Sequence, residues 1–417
     1  MRIIADFHLH SKYSRATSRD MDLEHIALSA QRKGINIIGT GDFTHPEWFN
    51  ELTSKLEPAE EGFYKLKNEK GKNIVRFIIS GEISSIYQRG GKTRRVHNVI
   101  ILPSLGSAEK INNTLSWQGN LKSDGRPILG MDSEELLKIV FKAEPKAMFI
   151  PAHIWTPWFA VFGSMSGFNS LEEAFGENTK YISALETGLS SDPSMNWRIS
   201  SLDKFALVSN SDAHSPNNVG REANVFDIDF NYSSLREAII KKDKTKFLYT
   251  IEFFPEEGKY HYDGHRLCKV RMPPEERKKV KGICPVCGRS LTVGVLSRVE
   301  ELADRPKEEI PANAIPFKSL VPLREIIAES LDCQVKTKAV EEEYQKLISQ
   351  FPNELYILLE ANDQDLQRVA TAKIAEGIIK IREGKVILEP GYDGEYGKVK
   401  VFSGKKLKDI IIQEELF

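Results

Sequence analysis

The residues with the most chemical capacity lie at the N-terminus, in Met1-Arg-Ile-Ile-Ala-Asp6-Phe-His8-Leu-His10-Ser11. On an extended chain residues i and i+2 project to one side, so the imidazoles of His8-Leu-His10 reach the same ion. Asp6 shares that side and is placed to orient a ligand from behind. Two histidines at a strand end say little alone; their weight depends on partners elsewhere. Seven of the nine histidines fall in the first 255 residues: His8, His10, His25, His45, His97, His153 and His214. His25 sits in a helical pattern and reads as a surface residue. Asp42, Glu82, Glu186 and Asp212 supply carboxylates beside the others. Imidazole with carboxylate is a ligand set for divalent transition metals. More candidates are present than one ion takes, so a centre of two or three ions (Zn, Mn or Mg) is expected, with Glu82 as a bridge. Asp212 and His214 are candidate catalytic residues as well as ligands. Asp192 is a further candidate, although it precedes Pro193 and reads equally well as a turn residue.

A second constellation lies downstream. His265-Arg-Leu-Cys268 is followed by Cys284-Pro-Val-Cys287-Gly288. Two sulfurs spaced Cys-x-x-Cys fit one tetrahedral ion, and the first arm completes a closed Cys₃His structural zinc site. His261 is an alternative to His265. The crowding of the four cysteines into one third of the chain argues for metal over a disulfide framework and for an intracellular protein. Cys333 stands alone in a helical pattern and reads as a buried thiol. Lys278-Lys279-Val-Lys281, between the two arms, places positive charge suited to phosphate contacts.

These residues need a frame. Ile3-Ile-Ala5, Ile35-Asn-Ile-Ile38, Phe77-Ile-Ile79, Val99-Ile-Ile-Leu102, Met148-Phe-Ile150, Ile182-Ser-Ala-Leu185 and Phe205-Ala-Leu-Val208 read as strands. Amphipathic stretches such as Asp22–Lys33 and Ser133–Phe141 lie between several of them, which argues for βα units and a parallel sheet or barrel. Asp42, Glu82, His153, Glu186, Asp212 and His214 each follow a run, while His97 precedes one. Residues at the C-terminal ends of parallel strands converge on one face. With 417 residues, more than one domain is expected. The boundaries read as 1–255 for the α/β unit, 256–300 for the cysteine module and 301–417 for a helix-rich region ending in strands. Helical periodicity covers Glu341–Phe351 and Asp363–Arg382. A net charge of -1 gives no global attraction to nucleic acid and does not exclude local basic patches. No apolar run reaches membrane-spanning length and no signal-peptide pattern opens the chain, so a cytoplasmic, nucleoid-associated protein is expected.

The ordered motifs resemble the PHP superfamily, named for polymerase and histidinol phosphatase proteins. The matching residues are His8-Leu-His10-Ser, Gly39-Thr-Gly-Asp42, Gly81-Glu82, His97, Pro151-Ala-His153 and Asn210-Ser-Asp212-Ala-His214-Ser. The resemblance covers residues 1–250. It implies a distorted (β/α)₇ barrel and a trinuclear metal centre that cleaves phosphoesters. One motif departs from the pattern: Phe43 stands where a ligand histidine is expected, so either Asp42 or His45 takes that place. Clustered divalent ions lower the pKa of bound water and neutralise phosphate, so no serine or cysteine nucleophile is required. Arg15, Arg19 and Arg221 are candidate phosphate clamps.

The segment from His153 to Phe168 is long, aromatic and glycine-rich, and its Trp155, Trp158, Phe162 and Phe168 are candidates to border the site and stack on bases. Arg89–Arg95 and Lys241–Lys246 are candidate backbone contacts. With Gly39–Pro46, Gly220-Arg-Glu-Ala-Asn224 and the order barrel, finger, helical domain, the chain resembles the endonuclease Q family. That resemblance implies a DNA repair enzyme that nicks 5′ of a deaminated base (uracil, hypoxanthine, xanthine) or an abasic site, leaving 3′-hydroxyl and 5′-phosphate ends. It also implies extrusion of the inspected base into a pocket, and a repair or replication-clamp partner. The alternatives are a phosphatase of small phosphomonoesters, which has no use for the extra modules, and a non-catalytic nucleic-acid-binding repair component, in which ligand motifs decay.

Overall fold

The computed structural model describes residues 1–67 and 75–402; the end of the helix-rich region, 403–417, lies outside them. Its centre is a mixed sheet. Strand β1 (Arg2–Asp6) pairs in parallel with β2 (Ile37–Gly39), and β2 with β3 (Arg76–Arg89). The hairpin partner β4 (Lys92–Leu102) returns antiparallel to β3, and β5 (Met148–Pro151) is antiparallel to β4. Strands β6 (Ala184–Glu186) and β7 (Ala206–Val208) pair in parallel. They join the rest through Ser183 N–H to the Phe149 carbonyl at 3.0 Å and His10 N–H to the Ala213 carbonyl at 3.0 Å. On the far side of β1 run β8 (Ala223–Asp227), antiparallel to it, and β9 (Phe247–Glu252).

Alternation along these strands explains why they are apolar throughout. Ile3, Ala5 and Phe7 enter one buried cluster with Ile37, Ile78, Val99, Ile150 and Val208. Ile4 and Leu9 enter the other, which continues into the helices around the sheet. Successive side chains point to opposite faces, so a strand covered on both faces reads as an unbroken hydrophobic run. The surrounding helices start where the sequence places capping residues. Asp22 accepts from His25 N at the start of Leu23–Lys33, and Asp132 accepts from Glu134 N ahead of Ser133–Ala143.

The long hairpin differs from the all-parallel expectation. Because β4 runs backwards, His97 faces the site from inside its strand, opposite Ser84, and not from a strand end. The C-terminal region is helical, and the 363–382 pattern resolves into two helices, Asp363–Val369 and Ala372–Arg382. Thr371 ends the first pattern by capping the second helix through its side-chain oxygen. The region is stapled to the sheet unit by Lys33 and Glu354, 2.8 Å apart and both buried. A strand at Phe317–Ser319 also adds to β9. The tail forms the antiparallel pair Ile387–Glu389 and Lys398–Lys400. Cys333 lies after the helix Leu323–Ser330, not within one; it is half-buried, with Sγ 3.3 Å from Thr337 Oγ1. Among the described residues no helix is long and apolar enough to cross a membrane.

Candidate metal centre

His8 and His10 leave β1 with their rings buried and their Nδ1 atoms turned to carboxylates. His8 Nδ1 lies 2.9 Å from Glu186 Oε1, and His10 Nδ1 lies 3.0 Å from Asp42 Oδ1. Each carboxylate is itself held. Asp42 Oδ2 accepts from Ser11 N (2.7 Å), Ser11 Oγ (2.6 Å) and Ser14 Oγ (2.9 Å). Glu186 accepts from Asn210 Nδ2 (2.9 Å) and His153 N (2.8 Å). A hydrogen bond at Nδ1 fixes the tautomer and leaves the Nε2 lone pair for a cation.

The Nε2 atoms converge. His10 Nε2 is 3.1 Å from Asp212 Oδ1 and 3.5 Å from Glu82 Oε2, and His8 Nε2 is 3.7 Å from both. Yet His8 Nε2, His10 Nε2 and Asp212 Oδ1 are buried without a hydrogen-bond partner. They are close in distance but not aligned donor to acceptor, as atoms are that face a shared point. Buried polar atoms are otherwise almost always satisfied, so the arrangement fits a cation.

Three overlapping groups can each hold an ion: His8, His10 and Glu82; His10, Asp212 and His214; Glu82, His97 and His153. Glu82 belongs to two of them and divides its oxygens. Oε1 faces His97 Nδ1 (2.8 Å) and His153 Nε2 (3.0 Å), while Oε2 faces the His8–His10 side. Burial alone would raise Glu82, but the charges of Arg126 and His8 hold it well below the usual carboxylate range, His97 being neutral there. Burial would likewise depress His8 and His10. With no ion bound, the carboxylates of Glu186 and Glu82 hold His8 well above the ordinary imidazole value and Asp42 and Asp212 bring His10 to about 9, so a cation at Nε2 takes the place of the second proton. His97, deep in the strand pair, is pushed down to about 4 by burial. The backbone bends sharply here: Asp42, His153 and Asp212 adopt left-handed φ values of 48°, 28° and 46°. Gly188 must stay small, because a Cβ there would lie 2.4 Å from His153 Cβ.

Several expected residues take other places. His45 is not among the grouped ligands; it stacks on Tyr13 at 4.5 Å and stands at the N-cap of Pro46–Lys55. Phe43 packs in the core. Asp42 and Glu186 stand behind the histidines, and Asp6 accepts from the backbone N–H of Ser211 and Gly220, holding the Asp212 loop and not a ring. Asp192 accepts from Met195 N (2.8 Å) and Ser194 Oγ (2.7 Å) as an N-cap, outside the three groups. In the aromatic segment Trp155, Phe162 and Phe168 are buried packing residues, tied down by Arg298 through the carbonyls of Phe162 and Phe168. Trp158 sets its ring edge-on to Tyr260. Phe159, half exposed, is the aromatic that packs on His97, at 4.7 Å. Arg89 is spent on Asp132 and Glu134, and Lys241 on Glu237. Arg15 is largely exposed, with Nε 3.3 Å from Asp124. The residue that sequence reasoning missed is Arg126, whose Nη1 lies 3.0 Å from Glu82 Oε2. Its surroundings, Ser-Asp-Gly-Arg-Pro, carry only a turn signal.

A cleft of about 730 Å³, lined by Ser215 next to His214 in the chain, opens between the 215–221 loop and the C-terminal helices; Arg221, Arg324 and Lys336 stand in its walls with Glu325 and Glu341, and Arg324 is held by Glu341 at 3.1 Å. In the cysteine module His265, Cys268, Cys284 and Cys287 bring their ligand atoms within 4.8 Å of one another. His265 Nδ1 is 3.4 Å from Cys287 Sγ, and His261 is buried apart from the group. The module's own apolar cluster has three buried members, Met272, Cys284 and Leu291. So small a core does not hold a fold without a staple.

Residues 322–385 match the family model of the MJ0043 C-terminal domain. The chain is 36 % identical over 253 residues to the uncharacterized protein MJ0043 of Methanocaldococcus jannaschii, covering 59 % of this chain and 31 % of that longer relative. It is 29 % identical over 420 residues to the uncharacterized protein YqxK of Bacillus subtilis, covering 96 % and 99 % of the two. Among solved structures it is similar to the lesion-specific endonuclease PfuEndoQ from Pyrococcus furiosus, with 31 % identity, a TM-score of 0.85, and 96 % and 95 % of the two chains covered. It is equally similar to an endonuclease Q solved with a 27-mer duplex carrying an abasic lesion at the active site, with 32 % identity, a TM-score of 0.84 and 96 % of each chain covered. With this identity sustained along nearly the whole of both chains, the protein belongs to the endonuclease Q family.

Proposed function

We propose that this chain is a DNA repair endonuclease that hydrolyses the phosphodiester 5′ of a deaminated base (uracil, hypoxanthine or xanthine) or an abasic site, leaving 3′-hydroxyl and 5′-phosphate ends. The observation that carries the reading is the convergence of unpartnered His8 Nε2, His10 Nε2 and Asp212 Oδ1 beside Glu82, in a chain that matches a DNA-bound endonuclease along its length. We read the strands as a distorted (β/α)₇ barrel, with the ligands at one mouth. The three groups would hold two or three divalent ions. Bound there, such ions make water a nucleophile near neutral pH and offset the charge of the phosphate.

The protein's part is to hold and to exclude. Asp42 and Glu186 keep the protons of His10 and His8 on Nδ1. Glu82 keeps its two oxygens apart for two groups. His214 places Nδ1 2.9 Å from the Asp212 carbonyl, leaving Nε2 unprotonated at the rim. Asp192, Asp212 and His214 carry the catalytic assignment, Asp192 also capping the turn at Pro193 through its Oδ1. The cleft that begins at Ser215 is the candidate receptor for an extruded base, with Lys336 in its wall to meet the flanking backbone. His265, Cys268, Cys284 and Cys287 are read as a structural zinc site, and the protein as an intracellular one acting on the nucleoid. A replication-clamp or repair partner remains part of the proposal.

The test is a nicking assay on duplexes carrying uracil, hypoxanthine, an abasic analogue or a normal base, with a phosphomonoester as control. Wild type nicks the damaged duplexes, whereas His8→Ala and Asp212→Ala do not and keep the wild-type circular dichroism. Equal nicking by the variants, or turnover of the phosphomonoester alone, refutes the assignment.

A further inference from the structure

We infer that Arg126 is a catalytic residue that engages the scissile phosphate, an inference that rests on the nuclease reading above. The loop that carries it, 116–127, follows the helix Leu105–Leu115 and is fastened at several points. Ser84 N–H bonds to the Pro127 carbonyl at 3.0 Å, and Gly125 N–H bonds to the Tyr13 carbonyl at 3.0 Å. Asp124 Oδ1 accepts from Arg126 N at 3.1 Å. Gly125 lies so close to the histidine support that a Cβ would be 2.2 Å from Asp42 Oδ2. The loop is therefore positioned by the same elements that carry Glu82 and buttress His10.

Its side chain spans the boundary between the site and solvent. Arg126 is 28 % exposed and the Glu82 it touches is fully buried. One N–H of the guanidinium goes to Glu82, and among the described residues no other group accepts from that guanidinium. A guanidinium has five donors in a fixed fork that matches the oxygens of phosphate. An arginine serving only as a counter-ion to Glu82 would be free to bury its whole fork against protein acceptors, whereas this one leaves its remaining donors to solvent, from which a phosphate can displace water. Here the side chain is part exposed and reaches Glu82, a member of two of the three ligand groups, so its unspent donors are open to solvent beside the site and available to a phosphodiester that binds there. The geometry gives Arg126 two acceptors in sequence: Glu82 before DNA enters, and phosphate oxygens afterwards.

Arg126→Ala and Arg126→Lys are compared with wild type on the abasic duplex. Removal of a preorganised donor to developing charge slows reaction by about 10²–10³-fold, so Arg126→Ala loses that much single-turnover rate. Arg126→Lys, which keeps the charge without the fork, recovers part of it. Independently of turnover, loss of a phosphate contact lowers the slope of log affinity against log salt by about one, measured on the metal-loaded protein with a nicking-resistant phosphorothioate duplex. Metal content of Arg126→Ala stays at the wild-type level. A wild-type rate and slope in Arg126→Ala overturn the inference. So does a variant that loses metal and regains full rate with added metal, which would make Arg126 a support for Glu82 alone. Wild type that fails to nick refutes the nuclease reading itself.

Discussion

The sharpest test of the site concerns Asp42. Its Oδ2 accepts three donors, Ser11 N, Ser11 Oγ and Ser14 Oγ, while Oδ1 faces His10 Nδ1. In Asp42→Asn the amide nitrogen cannot take the Oδ2 position without meeting the backbone N–H of Ser11, which can only donate. It therefore takes Oδ1 and presents N–H to His10 Nδ1. The imidazole must then accept at Nδ1 and carry its proton on Nε2, the atom that faces Glu82 and Asp212. A hydrogen bond to a charged group contributes about 1.5–3 kcal/mol, and about 1.4 kcal/mol is a tenfold change. Metal affinity should fall roughly 10- to 100-fold, the range seen when the group behind a ligand histidine is lost. Competitive titration with a chromophoric chelator measures this, and excess metal should restore much of the nicking. His45→Ala, in contrast, should leave metal affinity and stoichiometry unchanged, because that ring stacks on Tyr13 outside the groups. Wild-type affinity in Asp42→Asn, or loss of an ion in His45→Ala, would refute the reasoning.

Three further outcomes are expected. Cys284→Ser should lower the melting temperature and the affinity for DNA more than the single-turnover rate, because the module's three-member core depends on the ion; an unchanged melting temperature would remove the structural zinc. Lys33→Met leaves Glu354 buried without its cation, with Tyr344 Oη and Leu323 N as its remaining partners. Breaking one side of a buried pair costs about 3–5 kcal/mol, and hydrogen exchange should show the loosening first in the helices after residue 322; uniform protection would contradict it. Glu252 is raised by burial to about 8, so the folded state keeps a proton that the unfolded chain gives up in the ordinary carboxylate range. Its contribution to stability is full below that range and is lost as pH rises through about 8. Glu252→Gln should flatten the fall in melting temperature between about pH 4.5 and pH 8, and an unchanged slope would count against it.

Much of this was legible in the chain. The apolar runs found their strands, and the histidines gathered, because a ligand following a buried run has few other places to go. The α/β sheet and the helical C-terminal region were readable from periodicity. What stayed hidden depended on direction and contact. His97 precedes an apolar run, and nothing local says that the strand returns antiparallel to bring it opposite Ser84. Asp42 and His45 are three residues apart and both are ligand types; only the donors around Asp42 separate an orienting carboxylate from a stacked ring. Trp155, Phe162 and Phe168 have a composition that serves a base platform or a core equally, and tertiary packing decides for the core. Arg126 belongs to a loop with no period, so its partner is set by the long hairpin it leans on.

The backbone at the site bears on why this arrangement exists. Asp42, His153 and Asp212 all hold positive φ within a single group of contacts. Strained conformations of this kind cost about 1–3 kcal/mol each. Together they are comparable with the whole net stability of a domain, about 5–15 kcal/mol. Unpartnered His8 Nε2, His10 Nε2 and Asp212 Oδ1 add a desolvation penalty to the same spot. Folding alone favours relaxing the turns and pairing the atoms. The surrounding strands, buried on both faces, supply enough apolar burial to hold the strain. A site kept under strain and unsatisfied by its own chain is one whose balance is completed by what binds there, and the buttresses behind His8 and His10 direct that completion to Nε2.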